Sequence, residues 1–223
     1  MANFRTHISV ATAGGMLLAY AGWQAQWWPS SQAILICALT AFGGILPDID
    51  ADRSHSIRLI FNLLSVPALV LGVVLLQAWL TPGMLMVACG GIYFGVRYLV
   101  GLLFSRLTVH RGIWHSLLAG MLCAMLAAAL SFQLLAQSAW LAWSHGVAVL
   151  IGFIIHLLLD ELYSVDLEGA RLKRSFGTAL KLTDGRRPMS SLLMLIATLT
   201  LLPWLPPWAE LGELLRQGSL LWR

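Results

Sequence analysis

Apolar residues run in long blocks along this chain, broken by short turns rich in tryptophan, proline, serine or charge. Seven blocks approach the roughly 20 residues that a helix needs to cross a hydrocarbon layer. They cover 8–28, 31–47, 57–80, 83–104, 113–137, 144–159 and 189–205, the second, sixth and seventh being short. The pattern predicts an all-α, polytopic transmembrane helical bundle of five to seven spans. It reads as a single membrane-embedded domain over 1–223, with a basic loop at 161–188 and an amphipathic segment at 206–223 that is too polar to span and suits the membrane surface. Arg5 ahead of an apolar run with small residues near Ala19 resembles a secretory signal. The length of that run, and Trp23, Trp27 and Trp28 at its far end, predict a retained first span instead.

Composition excludes the other broad classes. With 59% apolar and 11% charged residues the chain is neither a soluble globule nor a disordered segment. Its three cysteines, Cys37, Cys89 and Cys123, lie inside apolar blocks, where a thiol packs as a small hydrophobe rather than building a disulfide scaffold. The net charge of +4 is explained by position. Eleven of the fourteen Lys and Arg fall in the segments at alternate ends of the blocks (Arg5; Arg53 and Arg58; Arg106 and Arg111; Arg171 to Arg187), which predicts a cytoplasmic N-terminus by the positive-inside rule. Tryptophans gather at the opposite ends, as interfacial anchors do. Membrane lipid is therefore the expected partner of the basic residues, no nucleic acid is expected, and the oligomeric state stays open.

Ionisable side chains at membrane depth are costly, at least about 2.5–3.5 kcal/mol on insertion scales, and mark function by default. Here they gather at the ends predicted to be cytoplasmic. His7 enters the first block; Asp48, Asp50 and Asp52 leave the second in LPDIDADRS; His110, Arg111 and His115 stand in HRGIWHS; His156, Asp160 and Glu161 end the sixth in HLLLDEL. His156 and Asp160, four apart, share one helix face. Gly112 lets the chain turn so that His110 and His115 aim at one point. The three alternating aspartates do not form an EF-hand loop, because Arg53 stands where that loop needs glycine and Leu59 where it needs glutamate. Each feature alone has an ordinary reading as a helix-end polar pair or interfacial basic cluster. Together, imidazoles and carboxylates from four helix ends suit one or two divalent cations, zinc favoured and manganese or iron open, without thiolate ligands.

The order and spelling of these motifs resemble the YdjM-like family of inner-membrane proteins: an early histidine (His7), LPDIDADRS (46–54), HRGIWHS (110–116) and HLLLD (156–160). The resemblance implies a helical protein of the bacterial inner (cytoplasmic) membrane with a metal-assisted hydrolytic centre at the membrane surface. Two departures bear on the shape of the pocket. Ala51 stands where the family often has histidine after PDID, with His55 nearby, and ELYSVD follows Asp160 in place of a Thr-Pro run.

Residues and resemblance together give His7, Asp48, Asp50, His110, His115, His156 and Asp160 as metal ligands. Asp52 or Glu161 is the expected general base or ligand-orienting carboxylate, and Arg111 the expected anion-binding group. The basic stretch 171–181 suits either a phosphorylated lipid-like substrate or merely anionic lipid. The expected activity is metal-dependent hydrolysis of an ester or phosphoester of a lipid-like substrate at the cytoplasmic surface. Two other classes remain: a divalent-metal transporter, which would place ligands near the midplane and show internal symmetry, and a scaffold whose metal only ties helices together.

Overall fold

The computed structural model describes residues 3–50, 55–102, 112–166, 171–172, 180–185 and 188–220, and helix dominates them. In chain order, α1 is Phe4–Gln24, α2 Ser30–Gly43, α3 His55–Leu76, α4 Pro82–Phe94, α5 Leu117–Gln133, α6 Ala139–Leu162, α7 Pro188–Thr200 and α8 Trp208–Leu220. A 3-10 turn, Leu46–Asp50, follows α2, a π-helical turn, Gly95–Val100, prolongs α4, and a second 3-10 turn, Leu202–Trp204, follows α7. The strand pairing among the described residues is a two-residue antiparallel ladder, Val165–Asp166 with Arg171–Leu172.

Helices begin where the sequence supplies an acceptor for the unsatisfied first-turn amides. Asn3 caps α1 through Thr6 N at 2.9 Å, Thr81 precedes Pro82 and accepts from Met84 N, Ser116 caps α5 through Ala119 N, and Ser138 caps α6 through Leu141 N. The α5 terminus gains two more acceptors from the basic loop: Leu117 N donates to Lys181 O and Leu118 N to Leu182 O.

The chain divides into two compact units, Met1–Pro47 with Ile113–Arg223, and Asp48–Gly112. In the first, α6 is the central helix, packed by α1, α2, α5 and α8. Small residues allow these helices to approach closely. Gly43 of α2 lies against the Val149 backbone, Gly152 of α6 against the backbone of Thr40 and Gly44, and Gly146 of α6 against Ala124 O of α5; a Cβ at any of the three would collide with main chain. Ile36, Ala148, Phe153 and Leu157 fill the space between. In the second unit, α3 packs against α4 and the π turn that prolongs it, and a Cβ added at Gly101 would meet the ring of Phe61.

Tryptophans do more than anchor. Trp28 and Trp143 are buried, and their indoles donate to Ala19 O (3.2 Å) and Pro207 O (3.0 Å), while Trp140 donates to Trp27 O (3.0 Å). These bonds tie the turns at one end of α6 to the helices. Trp23, Trp79, Trp204 and Trp208 are exposed, as interfacial side chains would be.

The expected five to seven spans are corrected to three or four. Among the described residues, Arg58–Leu76, Pro82–Val100 and Ala139–Leu162 are long and apolar enough to cross a membrane. A fourth counts only if Pro188–Trp204 and Trp208–Leu220, bent by 102° at their junction, form one broken span. Helix length is the main reason. With 14 and 17 residues, α2 and α5 rise about 21 and about 25 Å, short of a hydrocarbon layer of about 30 Å. At 21 residues α1 is long enough, but Thr6, His7, Thr12, Gly14 and Gly15 dilute its hydropathy.

Candidate metal centre

Three parts of the first unit bring buried polar side chains to one point. His7 lies in the first turn of α1, His115 immediately precedes the N-cap of α5, and His156 and Asp160 occupy successive turns near the end of α6. All four are 0–2% exposed. His7 Nε2 stands 3.3 Å from Asp160 Oδ1, and His115 Nε2 and His156 Nε2 each stand 3.9 Å from Asp160 Oδ2. Asp160 is thus the hub.

Local structure explains the aim of each side chain. The Gly43 and Gly152 crossing brings the end of α2 against α6, so that His156 Nδ1 donates to Gly44 O at 2.7 Å. That bond assigns the ring proton to Nδ1 and leaves Nε2 a lone pair directed at the hub, the second-contact arrangement usual for metal-bound histidine. Ser116, in extended backbone, turns the chain into α5 and sets His115 beside His156, their rings 5.8 Å apart and 68° inclined. The rings of His7 and His156 stack, with centroids 3.7 Å apart and planes 12° apart.

The donor set fits a divalent cation. His7, His156 and Asp160 each offer a ligand atom, all within 4.8 Å of one another. Ligands about 2.0–2.1 Å from a tetrahedral ion lie about 3.3 Å apart, so contacts of 3.3–3.9 Å require little contraction. Imidazole with carboxylate suits zinc, manganese or iron. One adjustment is needed: rings this nearly parallel send their in-plane lone pairs side by side, so His7 and His156 share an ion only after one ring turns.

The other expected residues fare differently. Asp48 is half-buried on the 3-10 turn and opens the second unit. Asp50 ends the same turn and His55 begins α3, but their side chains lie outside the described residues, as do Asp52, His110 and Arg111 entirely. Glu161 is half-buried on α6, one residue and hence about 100° around the helix from Asp160, so its side chain leaves on a different face. From the basic stretch, Lys181 Nζ lies 3.6 Å from Asp184.

A second polar cluster escaped the sequence reading. His145 of α6 is buried, with Ser131 Oγ of α5 at 2.7 Å from Nδ1 and Gln32 Oε1 of α2 at 3.2 Å from Nε2. Eleven residues, about 16 Å, separate it along α6 from His156. The signal was present: His145 is ionisable and falls inside an apolar block, the criterion that singled out the others.

No curated protein and no solved structure matches the chain. The model of the family described as YdjM inner membrane protein matches residues 1–174, a stretch that contains all four residues of the buried cluster. Covering well over half of the chain and every element that builds this centre, the match shows that the protein belongs to the YdjM inner membrane protein family.

Proposed function

We propose that this protein is a multi-pass inner-membrane hydrolase that uses a divalent metal, zinc favoured, at the cytoplasmic surface to cleave an ester or phosphoester of a lipid-like substrate. The observation that carries the reading is the convergence of His7, His115, His156 and Asp160 in full burial. A buried carboxylate ringed by imidazoles is expensive in a membrane protein without a cation to hold. The positive-inside distribution of Lys and Arg supports a cytoplasmic N-terminus and therefore a cytoplasmic site, since His7 enters α1 from that end.

His156, Asp160, His7 and His115 are the ligand candidates. A bound divalent ion supplies Lewis acidity, lowering the pKa of a water to about 7 and polarising the scissile group. The protein's own groups do the rest. Gly44 O fixes the tautomer of His156, and Asp160 draws the surrounding imidazoles to one place. With His7 Nε2 facing Asp160, a metal-bound His7 would carry its ring proton on Nδ1, which has no hydrogen-bond partner among the described residues.

A second reading has its own support: the four residues are so completely buried that a closed, structural metal site tying α1, α5 and α6 together is the natural alternative. Transport is disfavoured by position, since His156 lies six residues, about 9 Å, from the end of a 24-residue helix rather than at its middle. The deciding experiment pairs wild type with His115→Ala in a screen of phosphoester and carboxyl-ester lipids with added zinc or manganese. The catalytic reading expects wild-type turnover that His115→Ala abolishes while the variant keeps its fold. A metal-loaded wild type with no turnover, and a His115→Ala variant that unfolds, would favour the structural reading.

A further inference from the structure

One charged side chain interrupts the span Pro82–Val100: Arg97, three residues before its end. It is half-buried on the π turn, a wider winding than the α-helix that often marks functional positions. The turn carries a short aromatic ladder. Phe94 stacks on Tyr98, with centroids 5.6 Å apart and planes 22° apart, and the guanidinium carbon of Arg97 lies over the Tyr98 ring, 5.0 Å from its centroid. That contact offsets part of the charge but uses none of the N–H donors. Among the described residues no carboxylate pairs with Arg97 and no acceptor meets its donors. The sequence explains why: no Asp or Glu occurs in 53–159, so α3 and α4 have no carboxylate to offer. A cation in an apolar span is costly without a counter-charge, and here an anion from outside the chain would supply it.

We propose that Arg97 and Tyr98 form a binding site for the phosphate of an anionic phospholipid headgroup. The planar guanidinium presents paired N–H donors that match two phosphate oxygens, and Tyr98, 55% exposed, adds a hydroxyl beside it. Membership of an inner-membrane family supplies the anion, since phospholipid phosphates lie at both ends of a spanning helix. The place of Arg97 along the span agrees. A Cβ at Gly72 would meet Ile92 and one at Gly101 would meet Phe61, so α4 and its π turn run antiparallel to α3, with Arg97 toward the end where Arg58 is exposed. Selectivity follows from the missing acids. A choline or ethanolamine cation next to the phosphate would find no carboxylate on either helix to hold it, which favours a headgroup of net negative charge. The site lies wholly within the second unit, and the inference stands whether or not the protein is a hydrolase.

The test titrates delipidated full-length protein in a non-ionic detergent with phosphatidylglycerol and, separately, with phosphatidylcholine, and counts bound lipid by native mass spectrometry. Wild type should bind phosphatidylglycerol at least about tenfold more tightly than phosphatidylcholine. Arg97→Gln should lose about tenfold in phosphatidylglycerol affinity, and Arg97→Lys, which keeps the charge but not the paired donors, should fall between it and wild type. Tyr98→Leu, which removes the ring under the guanidinium, should lose about two- to fivefold. Arg5→Gln removes the same charge from an exposed position on α1 and should stay within about twofold of wild type. Equal affinity for the two lipids, wild-type binding by both Arg97→Gln and Tyr98→Leu, or an equal loss in Arg5→Gln would overturn the proposal. Displacement of bound phosphatidylglycerol by millimolar inorganic phosphate would also overturn it, making this a site for free phosphate and not for a lipid.

Discussion

Replacing Gly152 with alanine should weaken metal binding although Gly152 touches no ligand atom. A Cβ there would lie 2.8 Å from Gly44 N and closer still to Thr40 O, both main-chain atoms that cannot rotate away. Ordinary contact begins near 3.4 Å, so the end of α2 must retreat from α6 by at least about 0.6 Å at Gly44. The hydrogen bond from His156 Nδ1 to Gly44 O, now 2.7 Å, then passes the about 3.2 Å limit of good geometry. Overpacking of this kind costs about 1–3 kcal/mol of stability, and loss of the partner that orients a metal-bound histidine costs about 10–100-fold in metal affinity. Competition against a chromophoric zinc chelator in detergent measures that affinity, with thermal unfolding alongside. Gly90→Ala is the control, because a Cβ at Gly90 meets nothing within 4 Å; it should bind metal as wild type does and be slightly stabilised by better helix propensity. A folded Gly152→Ala protein whose zinc affinity stays within about twofold of wild type would refute the reasoning.

Three further outcomes follow from the packing. Ser131→Ala leaves buried His145 Nδ1 without the hydroxyl that meets it at 2.7 Å, which should cost about 1–3 kcal/mol in thermal or denaturant unfolding. Metal content should not change, because His145 lies about 16 Å along α6 from His156. Trp143→Phe removes the indole bond to Pro207 O, and should loosen α8 by about 1 kcal/mol; faster proteolysis near 205–208 with the remaining helices intact is the readout, and an unchanged cleavage rate would count against the docking role of this bond. Asp184 N donates to Ser191 Oγ, and Asp184 closes the turn whose carbonyls cap α5. Ser191→Ala should therefore raise hydrogen exchange at Leu117 and Leu118, next to His115.

Much of the centre was legible because water-loving side chains in apolar blocks carry their own signal. His7, His115, His156 and Asp160 were each nominated by that criterion, and the i, i+4 spacing of the last two correctly put them on one helix face. The carbonyl that orients His156 was not legible. It depends on Gly152 letting a neighbouring backbone close in, and a lone glycine in an apolar block does not announce its partner. Span counting failed for a different reason: hydropathy windows register composition but not where a helix stops. The 31–47 block is one helix only as far as Gly43 before a 3-10 turn takes over, and the 189–205 block leaves its helix at Thr200, while the 144–159 block proved part of a longer helix, Ala139–Leu162. The division into two units was equally hidden, since the residues of the first are drawn from both ends of the sequence.

The most direct test of the central claim is elemental analysis of the detergent-purified protein beside Asp160→Ala. Every histidine of the centre contacts Asp160, so the account predicts stoichiometric zinc, manganese or iron in the wild type and its loss in a variant that retains its helical content. A wild-type protein that holds no divalent metal, even after incubation with these ions, or a variant that retains a full complement, would contradict it.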